Sequence, residues 1–499
     1  MTPPPAEWQR LDPRMLLIYP VKELVRFLPA LIALFIAGSA ANGSGEWWQV
    51  LGIAVPVALG VLRYVTTGYR ITSGRIELRR GLLNRHVLST PLDRVRTVDI
   101  TAPPVHRLLG LTSVRIGTGT TSGGDEDRID LDGLPVAQAR RLRADLLHLD
   151  AEESSPTPGA YAVLEFDPAW VRFAPLTSTG LVIAAGVLGV AAQGLNTVNG
   201  FERLHPERLA DDAAQWSIWV AVPLALVGLA VLVSALSIGG YVVSNWGFRL
   251  THTDAGRGGA WHLTRGLLTT RETTLDDARV RGVSVGEPLG LRLAGGGRAW
   301  AIVTGLEQDT SGSALLVPPA PRAVVHRAAG AVLGSVAPLD AALTGHGPRA
   351  RTRRYTRAVG PAVLLLVLVL ALVPLADAPL WAPVLVALGV PVAVALAADR
   401  TRALGHALVA GHVVVRSGSL NRRRDALETD GVIGWNLRAT WFQRRAGLGT
   451  LVATTSGGRQ AVTALDVPEA MAIGLAHSAH PHLIGQFLVE SPAQAPTSA

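Results

Sequence analysis

The 499-residue chain has no cysteine. Disulfides, thiolate nucleophiles and cysteine-ligated zinc are therefore excluded. Lysine is nearly absent too: Lys22 stands alone among 46 basic residues. The accompanying excess of Arg, Ala, Gly, Val and Leu reads as GC-rich coding, so the net charge of +8 is not a sign of nucleic-acid binding. Charged residues make up only 17%, below the ~25% usual in soluble domains. Catalytic signatures are missing as well. There is no Gly-x-Ser-x-Gly and no His-Glu-x-x-His. The glycine-rich stretches Gly256–Gly259 and Gly295–Gly297 lack the Lys-Ser/Thr and the strand–turn–helix setting of a phosphate loop, and read as hairpin turns. Met1 to Trp8 carries neither a basic n-region nor a small-residue cleavage site, so it is not expected to be a cleaved signal peptide.

What the chain does have is long apolar runs. A bilayer core takes about 20 mostly apolar residues per helix. Six stretches fit or nearly fit: Leu24–Ala41, Trp47–Thr66, Leu176–Gly194, Trp216–Gly239, Ala358–Ala376 and Leu380–Ala398. They fall into three pairs, closed by Asn42–Glu46, Leu195–Gln215 and Pro374–Pro379. A short closing segment makes each pair a hairpin whose outer ends share one side of the membrane. Arginines crowd those outer ends, for example Arg10, Arg14, Arg63, Arg70, Arg351, Arg353, Arg400 and Arg402, whereas the closing segments hold only Arg203 and Arg208. The positive-inside rule then places both termini, and everything between pairs, in the cytoplasm. No Asp, Glu, Lys or His stands mid-span, which disfavours a transport pathway.

The segments between the pairs are repeats. Without gaps, Gly81 aligns with Gly266 and Gly418, Val95 with Val280 and Val432, Arg107 with Arg292 and Arg444, and Gly110 with Gly295 and Gly447. The second copy has a longer first hairpin around Thr253–Gly259. Within each copy the pattern is strand-like, as in Ile71, Ile76 and Leu78 around Ser73-Gly74. The aligned Gly81, Gly266 and Gly418 fit a reversal at positive φ. A proline then opens a helix in each: Pro135 to Leu149, Pro321 to Leu333, and Pro468 to about Ala476. Leu142, Leu146 and Leu149 make one apolar helix face. Short strands closed by an amphipathic helix describe a small barrel or orthogonal sandwich.

The run YRIT…RRGLLNR…PLDRVRTVD…RLLGLTSVRIGTG from Tyr69, with the preceding Trp8-Gln9-Arg10-Leu11-Asp12-Pro13, resembles the bacterial pleckstrin-homology-like, membrane-flanked domain family. The third copy departs from it with Glu428 at the position of Pro91. The resemblance covers essentially the whole chain and implies three bent antiparallel sheets, each capped by a C-terminal helix, alternating with α-helical transmembrane hairpins. It implies no catalytic residues, and links to cell-envelope stress and antimicrobial resistance. The expected layout is an arm and first hairpin in 1–66, a first PH-like domain in 67–150, a linker and second hairpin in 151–241, a second domain in 242–334, a basic linker and third hairpin in 335–399, a third domain in 400–485 and a disordered tail in 486–499.

Candidate sites are few. The acidic run Asp125, Glu126, Asp127, Asp130, Asp132 misses the EF-hand template, since position six is Asp130 and position twelve Val136, and reads as a solvated hairpin tip. His477, His480 and His482 have no neighbouring carboxylate to complete a metal site. Catalytic, cofactor-binding and metal-binding residues are therefore expected to be none, and so are cofactors. The arginine clusters Arg79-Arg80-Arg85, Arg140-Arg141-Arg143, Arg422-Arg423-Arg424 and Arg444-Arg445 suit electrostatic seating on an anionic leaflet. A specific lipid pocket is disfavoured, because the first-hairpin tips carry one arginine in Thr72-Ser73-Gly74-Arg75 and none in Ala410-Gly411. The reading is a non-enzymatic multipass protein of the inner (plasma) membrane, presenting three cytoplasmic domains as a binding and assembly module. Its partner is a protein or a second copy, with non-specific anionic-lipid contact and no nucleic acid. The alternative is a component of a transport or export system regulated by the domains.

Overall fold

The computed structural model describes residues 8–24, 26–27, 46–72, 74–81, 86–91, 97–117, 129–147, 160–177, 182, 185–186, 189, 193, 218–255, 258–304, 314–373, 381–457 and 461–487. Two compact units result, Met1–Phe166 with Val242–Arg279 and Gly305–Ser313, and Asp167–Tyr241 with Val280–Thr304 and Ala314–Ala499.

In the first unit, β1 (Gln9–Arg10), β2 (Gly68–Thr72), β3 (Arg75–Arg80) and β4 (His86–Pro91) form one antiparallel sheet in that order. The β2–β3 reversal pairs Thr72 with Arg75 and puts Gly74 at φ 104°, where a side chain would be strained. A second sheet has seven strands: β5 (Thr97–Ala102), β6 (Leu111–Gly117), β7 (Ile129–Pro135), β8 (Ala160–Glu165), β9 (Arg249–Ala255), β10 (Gly258–Arg265) and β11 (Thr270–Asp276). Their order is β7-β6-β5-β11-β10-β9-β8. The alternation Val98/Ile100, Val114/Ile116 and Ile129/Leu131 sends one face of β5–β7 into a core shared with Tyr69, Ile76 and Leu78. The helix Val136–Leu147 lies against β5, β6 and β7 and adds Ala139 and Leu142 to that core. β9 and β10 pair as far as Ala255 and Gly258, which is the longer first hairpin expected of the second repeat.

In the second unit, β12 (Val280–Pro288), β13 (Gly296–Val303), β14 (Leu315–Pro321), β15 (Gly405–Val409), β16 (His412–Ser417) and β17 (Asn421–Glu428) form a six-stranded sheet ordered β14-β13-β12-β17-β16-β15. A three-stranded sheet of β18 (Gly434–Arg438), β19 (Leu448–Thr454) and β20 (Ala461–Pro468) completes it. The β15–β16 reversal is a two-residue hairpin with Ala410 at φ 49° and Gly411 at φ 72°, the type I′ geometry that matches strand twist. The helix Arg322–Val332 lies against β12, β13 and β14, and the helix Glu469–Ala479 against β15, β19 and β20.

Among the described residues, three helices are long and apolar enough to cross a membrane: Val222–Asn245, Gly347–Leu372 and Pro383–Ala403. The last two lie in helices packed against each other in the second unit. Their leucines and valines face outward, with Leu364 70% and Leu388 62% exposed, the distribution that lipid tails solvate. The helix Glu46–Thr66 follows the expected second span, and its stretch Ile53–Thr66 counts as a shorter apolar helix. The span expected at Leu24–Ala41 lies outside the described residues beyond 27, and that at Leu176–Gly194 lies largely outside them. The closing segment Leu195–Gln215 is outside as well, and so are most of the other two and the tail from 488 on.

The first and third domains are tied to helical segments that begin their expected hairpins. Residues 15–24 are helical and bring Met15 against Gly133, where a Cβ would collide with the methionine side chain. The sole lysine, Lys22, reaches Asp132 at 2.5 Å, and buried His106 lies 2.9 Å from the same carboxylate. Burial works to raise the Asp132 carboxyl, but the His106 hydrogen bond and the Lys22 charge outweigh it and hold the group below its usual range. In the second unit, Arg353 and Arg354 approach Asp466 at 3.0 and 2.8 Å.

Candidate functional site: sheet junctions between repeats

The aligned glycines recur in one backbone state. Gly81, Gly266 and Gly418 have φ of 107°, 109° and 99°, and Gly110, Gly295 and Gly447 have 70°, 71° and 64°. Each glycine of the second set ends a one-turn helix: Pro104–Leu108, Leu289–Leu293 and Trp441–Arg445. The first two start after Pro103 and Pro288. The third has Thr440 there and closes a capping box with Gln443 instead. Arg107, Arg292 and Arg444 thus occupy the same place in three one-turn helices.

Successive repeats share sheets. β5 of the first repeat pairs antiparallel with β11 of the second inside the first unit, with Thr270 opposite Ala102 and Thr273 opposite Asp99. Inside the second unit, β12 of the second repeat pairs antiparallel with β17 of the third, with Glu287 opposite Arg422 and Ser284 opposite Asp425. Transferred through the sequence alignment, these are the same positions. The fourth strand of one repeat joins the third strand of the next in a single register, twice.

The polar links at the two junctions correspond too. Thr273 Oγ1 donates to Asp99 Oδ1 at 2.8 Å. At the equivalent position Ser284 Oγ donates to Asp425 Oδ1, with hydroxyl and carboxylate exchanged between the strands. Hydrogen bonds to a charged group contribute about 1.5–3 kcal/mol each. Arg107 Nη1 donates to the carbonyl of Leu267, the residue after Gly266. Arg292 Nη1 approaches the carbonyl of Ser419, the residue after Gly418, at 3.4 Å and also pairs with Asp399 at 3.1 Å.

The segment ending one repeat also grips the third strand of the next. Arg140 and Arg143, on the helix Val136–Leu147, pair with Glu272 at 3.3 and 3.2 Å. Burial lowers the Arg143 guanidinium more than Glu272 raises it. His262 of β10, 3.0 Å from Thr274, is pushed down to about 4 by burial and by the Arg143 charge, which keeps it neutral near pH 7. At the second junction Arg424 donates to the carbonyls of Pro338 and Ala341.

Several arginines expected to form a leaflet-facing surface are engaged within the protein. Arg422 pairs with Asp399 at 2.7 Å, Arg423 lies over the Trp300 ring and Arg79 over Trp8. Arg445 lies over Trp441. Of the acidic run, Asp130 and Asp132 sit on β7, where Asp130 accepts from Ser113 at 2.6 Å; Asp125, Glu126 and Asp127 lie outside the described residues. His480 accepts from Trp435 Nε1 at 3.2 Å, while His477 and His482 belong to two successive short helices. Among the described residues no group of three His, Cys, Asp or Glu could hold a metal ion. Sequence reasoning aligned Arg107 with Arg292 but did not find that both bridge to the next repeat; their shared offset from the paired glycines was the available signal.

Residues 23–150 and 362–477 match the family model of the bacterial PH domain. No curated protein and no solved structure matches the chain. With its two matched regions and recurring strand registers, the chain is a bacterial PH-domain protein in which the domain is repeated.

Proposed function

We propose that this chain is a non-enzymatic, multipass protein of the inner membrane that holds three PH-like domains, each closed by its C-terminal helix, on the cytoplasmic side as a binding and assembly module. The observation that carries this reading is the pair of junctions: strand 4 of one repeat joins strand 3 of the next in one register. Sheet-edge addition supplies affinity through main-chain hydrogen bonds, and the side chains beside the strand supply specificity. The domains are therefore built to associate with proteins through sheet edges. Leaflet contact is non-specific, because the first-hairpin tip between Val409 and His412 is Ala410-Gly411 and offers no cation for a phosphate.

Photo-crosslinking from β4 and β18 in native membranes tests this. Protein adducts that persist at high salt are expected, since exposed charge attraction is screened within about 8–10 Å at physiological ionic strength. Adducts only to lipid, selective among headgroups of equal charge, would replace the assembly reading with a lipid-sensor one.

A further inference from the structure

Two sheet edges are left by the pairing rule. The third strand of the first repeat, β4, pairs only with β3 among the described residues. The fourth strand of the third repeat, β18, pairs only with β19 among the described residues. Each is the half of a junction whose other half the molecule twice supplies elsewhere. We infer that β18 of one copy of this chain pairs antiparallel with β4 of a second copy, in the register of the internal junctions. This rests on the assembly reading above and names the partner.

The register is fixed by transfer. Glu272 opposite Ile100, and Arg424 opposite Val285, correspond through the alignment to Val87 opposite Leu437. That register places all of Gly434–Arg438 along His86–Thr90, within the bounds of β4. Burial marks the same positions as unfinished. Ile100 and Val285 are 4% and 3% exposed at the internal junctions, whereas the equivalent Leu437 is 38% exposed. Leu437 lies on the core-facing side, opposite buried Leu451 on β19, just as Ile100 lies opposite Val114 and Val285 opposite Ala299. Its exposure comes from a strand missing beside it, not from facing outward. On the receiving edge Val87 is 53% exposed, and the pairing would bring two exposed aliphatic side chains together across the strands. Arg444 agrees: its equivalents Arg107 and Arg292 reach a carbonyl of the next repeat, whereas Arg444 is exposed.

The interface is heterologous. A copy that uses its β18 keeps its own β4 open for another, so the array closes into a ring or grows as a row in the membrane. Five residue pairs make a small contact. Shared membrane anchoring raises the effective concentration and favours such a contact without adding any interaction.

The absence of cysteine gives a clean background for the test. Full-length chain carrying Val87→Cys and Leu437→Cys is expressed in membranes and treated with a mild oxidant. The expected result is a ladder of covalent dimers, trimers and larger species. Each single variant should stay monomeric, and two differently tagged single variants expressed together should give the mixed dimer and nothing larger. Moving one partner by a residue, Val87→Cys with Asn436→Cys, turns that side chain to the other face and should cut the yield several-fold. Ala102→Cys with Thr270→Cys, register partners within the chain, serves as the folding control and should close an internal disulfide. The inference is overturned if this control closes while the 87/437 variant stays monomeric. It is also overturned if single variants crosslink to themselves, or if the 87/436 pair does as well as 87/437. Capture of an unrelated protein at these edges, with no ladder, would overturn self-pairing and leave the assembly module standing.

Discussion

Asp466 is where the third domain meets the apolar helix Gly347–Leu372, and replacing it with asparagine measures that connection. The carboxylate is 2% exposed and accepts from Arg353 Nε at 3.0 Å and Gln443 Nε2 at 2.8 Å, with Arg354 Nη2 2.8 Å away. Both arginines lie in the opening turns of the helix Gly347–Leu372, which is long and apolar enough to cross a membrane. Asparagine keeps the size of the side chain and tolerates the positive φ of 54° found there, so backbone strain stays constant. What is removed is the charge, leaving two guanidinium groups that are only 12% and 15% exposed without their counter-ion. Removing one partner of a buried pair costs about 3–5 kcal/mol, and the residual solvent access of the arginines argues for about 3. At roughly 2–4 °C per kcal/mol, Asp466→Asn should lower the melting temperature of the detergent-solubilised protein by about 6–12 °C. Limited proteolysis should cut near residue 346 sooner, since the domain would detach from the helix. A variant melting within a degree of the parent would refute the claim that these contacts couple the domain to that helix.

The junction links should be of similar worth: Thr273→Val and Ser284→Ala should each destabilise by about 1.5–3 kcal/mol in denaturant melts, whereas loss of the exposed Ser89 hydroxyl on β4 should cost under about 0.5. Gly418→Ala should cost more than Gly74→Ala although both glycines have positive φ, because an added Cβ meets the Asn421 carbonyl at Gly418 and open space at Gly74; thermal melts rank the two. His346 is pushed down to about 4 by burial and by His406; its Nδ1 donates to the Leu465 carbonyl, so Nε2 accepts from His406 Nδ1. An unfolded imidazole gains its proton near pH 6.5, while the folded one stays neutral to about 4, so stability should fall as pH drops through that window, by up to about 3 kcal/mol. His346→Gln, which can still donate and accept, should flatten that pH profile. Reporter fusions should read outside at Asn42, Asp211 and Asp377 and inside at Ala151, Gly345 and Ala499; any of the last three found outside breaks the three-hairpin topology.

Local features were legible because local physics writes them. Three aligned glycines meant three positive-φ reversals, since other side chains are strained there. Alternation at Val114 and Ile116 meant a half-buried strand, and the prolines before residues 136, 322 and 469 meant helix starts. The helix bases and the arginine clusters were less legible. Arg422-Arg423-Arg424 reads as a solvated basic run, yet its members contact Asp399, Trp300 and the carbonyls of Pro338 and Ala341, all distant in sequence. Asp466 could not be picked out either: it sits in a bulge of β20 at positive φ, and the strand pattern there does not announce the extra residue. Pairing between repeats was illegible for a similar reason. Period-two alternation specifies which face a strand buries and says nothing of which edge it joins.

The junctions also account for where the repeats diverge. One position of the third strand carries Leu88, Thr273 and Asp425 in the three copies. Thr273 and Asp425 each meet a polar partner on the preceding repeat, while Leu88 packs against its own core and has no such neighbour among the described residues. Two residues before it the copies carry His86, Arg271 and Arg423. Three residues after it they carry Pro91, Asp276 and Glu428. Glu428 pairs with Arg281 at 3.1 Å across the second junction. Pro91 ends β4, where its missing N–H costs nothing, because proline is tolerated on an edge strand. The departure of the third copy from the first at this position is therefore a consequence of place: Glu428 stands inside a junction and Pro91 stands at its vacant counterpart. Exchanging them tests the point. Glu428→Pro should remove the link to Arg281 and introduce a ring beside β12, destabilising the second unit by about 3 kcal/mol or more. Pro91→Glu should leave the first unit within about 0.5 kcal/mol of the parent, because no described strand pairs with β4 on that side. Equal losses from both substitutions, measured by denaturant melts, would mean that the two positions share a local role and that neighbours do not decide it.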